Sequence, residues 1–268
     1  MQRTSTFEID FTGKTVVITG ISSGIGAGIA KMYARAGANI AGCALEDGQD
    51  AKIVALKASL CSEYNNEILY VQADVTKPDQ LKSFINKTVQ HFSRIDIVAS
   101  NAGTNVFAGA EQCSDEDWAF CMELNLKSHW NLAKLCKPHL EKSPAGVMVI
   151  NSSAHSNSTI PGSFPYNIAK TGLKALIQSL TIEWGPSIRV VGVAPGFIDT
   201  PLAENWFNEF DNPALKRKET ENAFPLKRLG TPEEIGGWFV FLSSDYASFT
   251  GGQTFLIDGG RSALMMEN

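Results

Sequence analysis

Residues 15–26 read Thr-Val-Val-Ile-Thr-Gly-Ile-Ser-Ser-Gly-Ile-Gly, and this stretch decides the fold. Its first five residues are a short, almost wholly apolar run, the pattern of a strand buried on both faces of a parallel sheet. Gly20, Ser22, Ser23, Gly24, Ile25 and Gly26 follow at once, and then Ile29, Met32, Tyr33 and Ala36 recur at helical spacing. Glycines there permit a tight turn and a close backbone approach to a pyrophosphate, while the helix N-terminus offers free N–H groups and a positive dipole end. Glycines also mark ordinary turns. Their position between a first strand and a first helix is the context that a dinucleotide-binding turn requires.

Further along the chain, β-rich runs alternate with helical patterns: 39–43 (NIAGC), 68–72 (ILYVQ), 95–100 (IDIVAS), 147–151 (VMVIN), 189–194 (RVVGVA) and 253–257 (QTFLI). Pro78 stands as a first-turn proline before Leu81, Phe84, Ile85 and Val89 at helical spacing. Thr231-Pro232-Glu233-Glu234 reads as a capping box. Strands separated by helices predict an α/β protein: a Rossmann-like doubly wound sheet of seven parallel strands with right-handed crossovers. With no Gly/Ser/Pro-rich linker and no internal repeat, residues 1–268 are expected to form a single domain. The stretch 201–225 breaks the alternation and has two readings, a substrate lid or a helical hairpin packed on the body.

Composition narrows the class. The 268 residues are 44% hydrophobic and 19% charged, which excludes a disordered chain. A net charge of −5 speaks against a dedicated nucleic-acid binder. Five cysteines without a C-x-x-C pair or histidines at zinc spacing predict neither a disulfide framework nor a metal site. Residues 1–10 lack an apolar core, and no run approaches the roughly 20 residues of a membrane span. A soluble cytoplasmic enzyme without membrane or nucleic-acid partners is expected.

Carbonyl–alcohol interconversion with a nicotinamide needs a group that gives or takes the hydroxyl proton. Tyr166 and Lys170 stand one helical turn apart, so an ammonium can favour phenolate and lower the tyrosine's pKa. That spacing on a helix also occurs in ordinary packing. Ser153, at the end of the fifth strand, makes the set specific, since its hydroxyl can hold a substrate oxygen against the phenol at the strand ends where open α/β sheets bind ligands.

Together these residues resemble the short-chain dehydrogenase/reductase family. Thr-Gly-x-x-x-Gly-x-Gly at 19–26 is similar to its cofactor turn, and Ser153 with Tyr166 and Lys170 to its Ser and Tyr-x-x-x-Lys. The resemblance implies that Asp74 and Val75 contact adenine, and that Asn101, Ala102 and Gly103 match its Asn-Asn-Ala-Gly, with Ser100 in place of the first Asn. It implies that Asn125 is the catalytic asparagine anchoring a relay water, and that Lys170 also holds the nicotinamide ribose. Pro195, Gly196, Ile198 and Thr200 resemble the turn touching the nicotinamide carboxamide. The match runs from about Phe11 to Gly260. Three residues between Tyr166 and Lys170, against six in bacterial enoyl-reductase relatives, favour ketone or alcohol chemistry. Extended epimerases and dehydratases carry a longer C-terminal domain; with eight residues after Gly260, the compact single-domain type is expected.

Where the family carries an Asp for NAD or an Arg for NADP, this chain has Ala44 and Leu45. Glu46 and Asp47 follow, and their charge would repel a 2′-phosphate, so NAD is expected over NADP; acids also suit the start of a solvated helix. Substrate contacts are expected from Ser153, His155, Tyr166, Phe107 and Trp206. The hydroxyl- and amide-rich run Ala154–Thr159 suits a sugar, polyol or sugar acid; it also suits a polar surface loop. A general ketone or 3-oxoacyl-type reductase is the alternative, and a catalytically silent dinucleotide-binding scaffold a further one. The resemblance also implies a homotetramer built on 115–137, 165–184 and 254–260.

Overall fold

Apolar residues on consecutive strand positions face alternately to the two sides of a sheet. In β1 (Thr15–Thr19), Val16 and Ile18 join one core and Val17 the other. The pattern repeats in β4 (Ile97–Ser100) and β5 (Gly146–Asn151): Ile97, Ala99, Val147 and Val149 lie on the first side, Val98, Met148 and Ile150 on the second. A computed structural model describes residues 8–64 and 66–264; residues 1–7, read above against a leader, lie outside them.

With β2 (Asn39–Ala44), β3 (Ile68–Gln72), β6 (Ile188–Pro195) and β7 (Thr254–Ile257), the sheet has seven parallel strands in the order β3-β2-β1-β4-β5-β6-β7. The order reverses between β1 and β4, and the crevice beyond the strand ends at that switch point is where such sheets bind ligands. β4 starts at Ile97 rather than 95, although Asp96 already bonds both neighbouring strands, donating to Thr15 O at 3.0 Å and accepting from Val147 N at 3.1 Å. The difference is one of boundary.

One face carries α1 (Gly24–Arg35), α2 (Ala51–Tyr64) and α9 (Pro232–Ser243); α3 (Pro78–Phe92), α5 (Ser128–Leu140) and α6 (Tyr166–Trp184) cover the other. α1 and α9 cross closely because glycines meet there: a Cβ on Gly28 would lie 2.4 Å from the Pro232 carbonyl carbon. Tyr33 spans the same contact, donating to Phe239 O at 3.1 Å, with Ser243 Oγ 2.6 Å away. The Thr231–Glu234 capping box opens α9 as expected.

α4 (Asp115–Met122) runs into α5 through a π-helical turn, Glu123–Lys127, which the sequence did not announce. The 201–225 stretch forms two helices, α7 (Pro201–Phe207) and α8 (Pro213–Asn222). Among the described residues no helix is long and apolar enough to cross a membrane, and no three His, Cys, Asp or Glu side chains group as metal ligands.

Candidate active site

The glycine turn is held before any ligand is considered. Gly20 and Gly24 adopt φ +70° and +54°, backbone that side chains rarely adopt. A Cβ on Gly26 would lie 1.9 Å from Gly20 O, so that position closes the turn only without a side chain. Ser23 caps α1 without a side-chain bond, and the first turn carries no acid, which leaves the helix N-terminus and its dipole facing the crevice. This cradle fits a dinucleotide pyrophosphate.

Asn101 fastens the turn to the switch point. Its Nδ2 donates to Thr19 O at 3.0 Å and Gly20 O at 3.3 Å, and Thr19 Oγ1 accepts from the backbone of Asn101 and Ala102. Asn151 Nδ2 donates to Asn101 Oδ1 at 2.8 Å. The side chain expected at the cofactor is therefore spent on shaping the cofactor turn. Thr19 and Asn151 were missed; Thr19 opens the motif itself and carried that signal.

At the adenine end, Asp74 Oδ1 accepts from Thr76 N and Oγ1 at 2.9 and 2.7 Å, and Val75 is buried beside it. Leu45 is 66% exposed at the end of β2. α2 begins only at Ala51, so Glu46 and Asp47 stand in the preceding turn and not in a helix's first turn. At the other end, Pro195–Thr200 is tied down by Gly196 N donating to Ile257 O at 2.8 Å and by an Ile198–Gly230 bridge. Thr200 packs over the glycine turn, 3.3 Å from where a Cβ of Gly24 would sit.

The four candidate catalytic residues converge. Tyr166 opens α6 and is 9% exposed, with the Ser153 side chain beside it acting to favour its phenolate. Ser153 Oγ also accepts from His155 N at 3.2 Å. Lys170, 3% exposed, places Nζ 5.6 Å from the Tyr166 ring centre and donates to Asn151 O at 3.1 Å. Asn125 lies in the π turn, fully buried, its Oδ1 accepting from Thr104 N at 3.1 Å. A π turn inside a helix is a frequent mark of a functional position. A Cβ on Gly103 would come within 2.7 Å of Asn125 Oδ1 and 3.4 Å of Lys170 Nζ, so the turn after β4 threads between them.

One electrostatic expectation is corrected. Burial pushes the Tyr166 phenol up to about 12, with the Ser153 side chain pulling the other way. Loss of phenolate hydration outweighs the ammonium, which burial itself disfavours, bringing Lys170 down to about 8. Cys121, one turn before Asn125, was also missed; it accepts from Asn125 Nδ2 at 3.6 Å and packs against Tyr166. Ser100 Oγ pairs with buried His129 Nδ1 at 2.6 Å where the family has its first Asn.

Phe107, His155 and Tyr166 form a ring triangle with centroids 5.5–5.8 Å apart, so two expected substrate contacts do border the phenol. His155 Nδ1 lies 2.9 Å from Thr159 Oγ1. Trp206 packs with Phe197, Phe207 and Phe210, an aromatic set at the foot of α7, and makes no ring contact with the Tyr166 triangle.

A parallel sheet with a glycine cradle at its switch point and a Ser–Tyr–Lys set at the adjoining strand end defines a nicotinamide-dependent oxidoreductase acting on CH–OH or carbonyl groups. The chain belongs to the short-chain dehydrogenase/reductase family: residues 20–262 match the family profile described as enoyl-(acyl carrier protein) reductase. It is 35% identical over 253 residues to oxidoreductase UcpA of Salmonella typhimurium, covering 93% of this chain and 94% of that one. Against 3-oxoacyl-(acyl-carrier-protein) reductase FabG of Thermotoga maritima it is 35% identical over 250 residues, covering 92% and 97%. Among solved structures, levodione reductase superposes with a TM-score of 0.89 at 29% identity, covering 95% of this chain and 100% of that one. L-sorbose reductase from Gluconobacter frateurii, complexed with NADPH and L-sorbose, gives 0.90 at 28% identity, covering 97% and 100%.

Proposed function

We propose that this protein interconverts a secondary alcohol and a carbonyl on a sugar, polyol or sugar acid, with NAD preferred over NADP. The observation that carries the chemistry is the placing of Ser153 beside the Tyr166 phenol with Lys170 Nζ 5.6 Å from the phenol ring, beside the glycine cradle. A bound nicotinamide supplies or accepts the hydride at the substrate carbon. In reduction, the substrate oxygen takes the Tyr166 proton as the new C–H bond forms; in oxidation, the phenolate takes that proton back. Ser153 Oγ holds the substrate oxygen in line, and Lys170 stabilises the phenolate electrostatically. Asn125 fixes the Gly103–Thr104 turn against Lys170 and takes the catalytic position of the family's asparagine.

Gly20, Ser22, Ser23, Gly24, Ile25 and Gly26 are assigned to the pyrophosphate, Leu45 and Glu46 to the adenosine ribose, and Asp74 and Val75 to adenine. The Asn101–Gly103 and Pro195–Thr200 turns take the nicotinamide half. The NAD preference rests on Glu46 and Asp47 at the end of β2, whose charge opposes a 2′-phosphate. The sugar reading rests on the polar run Ala154–Thr159 beside Tyr166 and on the likeness to a sorbose reductase. The likeness to FabG supports a 3-oxoacyl or general ketone reductase as the second reading. Residues 1–268 are read as one domain of a cytoplasmic homotetramer, an assembly supported by exposed Trp118, Phe120 and Trp130 on α4 and α5.

A panel of sugars, polyols, ketones and 3-oxoacyl thioesters read at the nicotinamide absorbance separates these readings. Tyr166→Phe is expected to lower kcat by about 10²–10⁴-fold while NADH affinity stays within about 2-fold, the two readouts of a pure proton-transfer role. Wild-type rates in that variant would overturn the assignment, and tighter NADPH than NADH binding would overturn the cofactor preference.

A further inference from the structure

α8 buries no residue of its own, so what fixes it is the contacts made by Lys216 and Arg217. Lys216 Nζ stands 4.8 Å from the Phe210 ring centre. Arg217 does more. Its guanidinium binds both carboxylate oxygens of Asp199 at 2.8 and 3.0 Å, reaches Glu204 Oε2 on α7 at 2.9 Å and Glu221 at 3.7 Å, and lies 4.9 Å over the buried Phe207 ring. Asp199 sits between Ile198 and Thr200, the two residues assigned to the nicotinamide half, and its backbone N–H donates to Gly230 O at 2.8 Å. Thr200 in turn packs over Gly24 in the pyrophosphate cradle.

We infer that Arg217 is a positioning residue of the cofactor site. Through its bidentate grip on Asp199 it holds Ile198–Thr200 against the glycine turn, and so couples the seating of α8 to the shape of the cradle. A planar guanidinium matched to a carboxylate fixes direction as well as distance, which a lysine at this position would not. Coupling is reciprocal: whatever the grip adds to cofactor affinity, bound cofactor returns to the seating of α8. The inference rests on the assignment of the 195–200 turn to the cofactor, and the test separates the two.

NADH affinity is measured by fluorescence for wild type, Arg217→Met, Arg217→Lys, Asp199→Asn, the Arg217→Met/Asp199→Asn double variant and Glu204→Gln, with Tm alongside. Arg217→Met and Asp199→Asn are expected to raise Kd about 5-fold each, the ceiling for an exposed ion pair, and the double variant no further than either single. Arg217→Lys recovers part of the loss. Glu204→Gln, which cuts only the bond within the α7–α8 pair, stays within 2-fold. In wild type, NADH slows tryptic cleavage after Lys216 and Lys218, and in Arg217→Met it does not. Unchanged Kd in Arg217→Met overturns the inference, as does an equal rise in Glu204→Gln, which would make the effect one of local stability. A wild-type protein that fails to bind NADH overturns the cofactor assignment itself and the inference with it.

Discussion

Lys170→Met isolates a deeply buried charge that has no carboxylate partner. Lys170 is 3% exposed, and burial brings its ammonium from 10.5 down to about 8. The groups sharing its surroundings are Cys121, Tyr166 and His129; none is a carboxylate, and burial first, then the Lys170 charge, holds His129 well below its usual range. Lowering the ammonium from 10.5 to about 8 corresponds, at about 1.4 kcal/mol per tenfold, to about 3 kcal/mol of native-state penalty. The sign follows from proton counting. Between pH 8 and 10.5 the unfolded chain holds the lysine proton and the folded chain has released it, so stability rises with pH across that window. Below pH 8 the penalty is present in full. Methionine removes it and leaves Asn151 O without its donor, a loss of about 1–3 kcal/mol. Urea unfolding of the apoprotein is measured for both proteins from pH 7 to 10.5. At pH 7 the variant is expected within about 2 kcal/mol of wild type. The wild-type minus variant difference then rises by up to about 3 kcal/mol toward pH 10.5; other titrations, Tyr166 included, largely cancel in that difference. A flat or falling difference would refute the claim that Lys170 is held as a desolvated cation.

Gly26→Ala places a methyl 1.9 Å from Gly20 O, backbone against backbone; NADH affinity by titration is expected to fall about 10-fold or more, because the turn must shift by over about 1 Å. Gly28→Ala collides with Pro232 instead, so calorimetry shows a lower Tm while NADH affinity is nearly kept. Thr231→Ala removes the α9 capping box and costs about 1 kcal/mol, read as a Tm lowered by about 2–4 °C.

The strands, the glycine turn and the Ser–Tyr–Lys set were legible because each is local: an apolar run, a motif and a one-turn spacing. What was not legible depends on tertiary environment. Nothing in the 115–137 pattern announces the π turn that carries Asn125, and that turn decides which way its amide faces. Spacing alone made Lys170 the dominant influence on Tyr166, yet burial governs both groups and drives their pKa values in opposite directions. Trp206 carried the composition of a pocket wall, and its packing with Phe197, Phe207 and Phe210 is visible only in the fold.

Cradle and catalytic set are moreover not two sites placed side by side. Gly20 O accepts from Asn101, Asn101 Oδ1 accepts from Asn151, and the Asn151 carbonyl accepts from Lys170. These four residues come from the ends of β1, β4 and β5 and from α6, and the first three of those strand ends adjoin only because the strand order reverses between β1 and β4. A buried ammonium without a carboxylate partner is tolerated where a carbonyl is fixed to receive it, and here that carbonyl belongs to the residue that also anchors the cofactor turn. The Gly20–Gly26 turn is therefore joined to Lys170 through two side-chain amides. In this architecture the glycine turn and the Tyr–Lys pair share one polar network, which is the physical reason to read a motif at residues 19–26 and a pair at 166 and 170 as parts of one site.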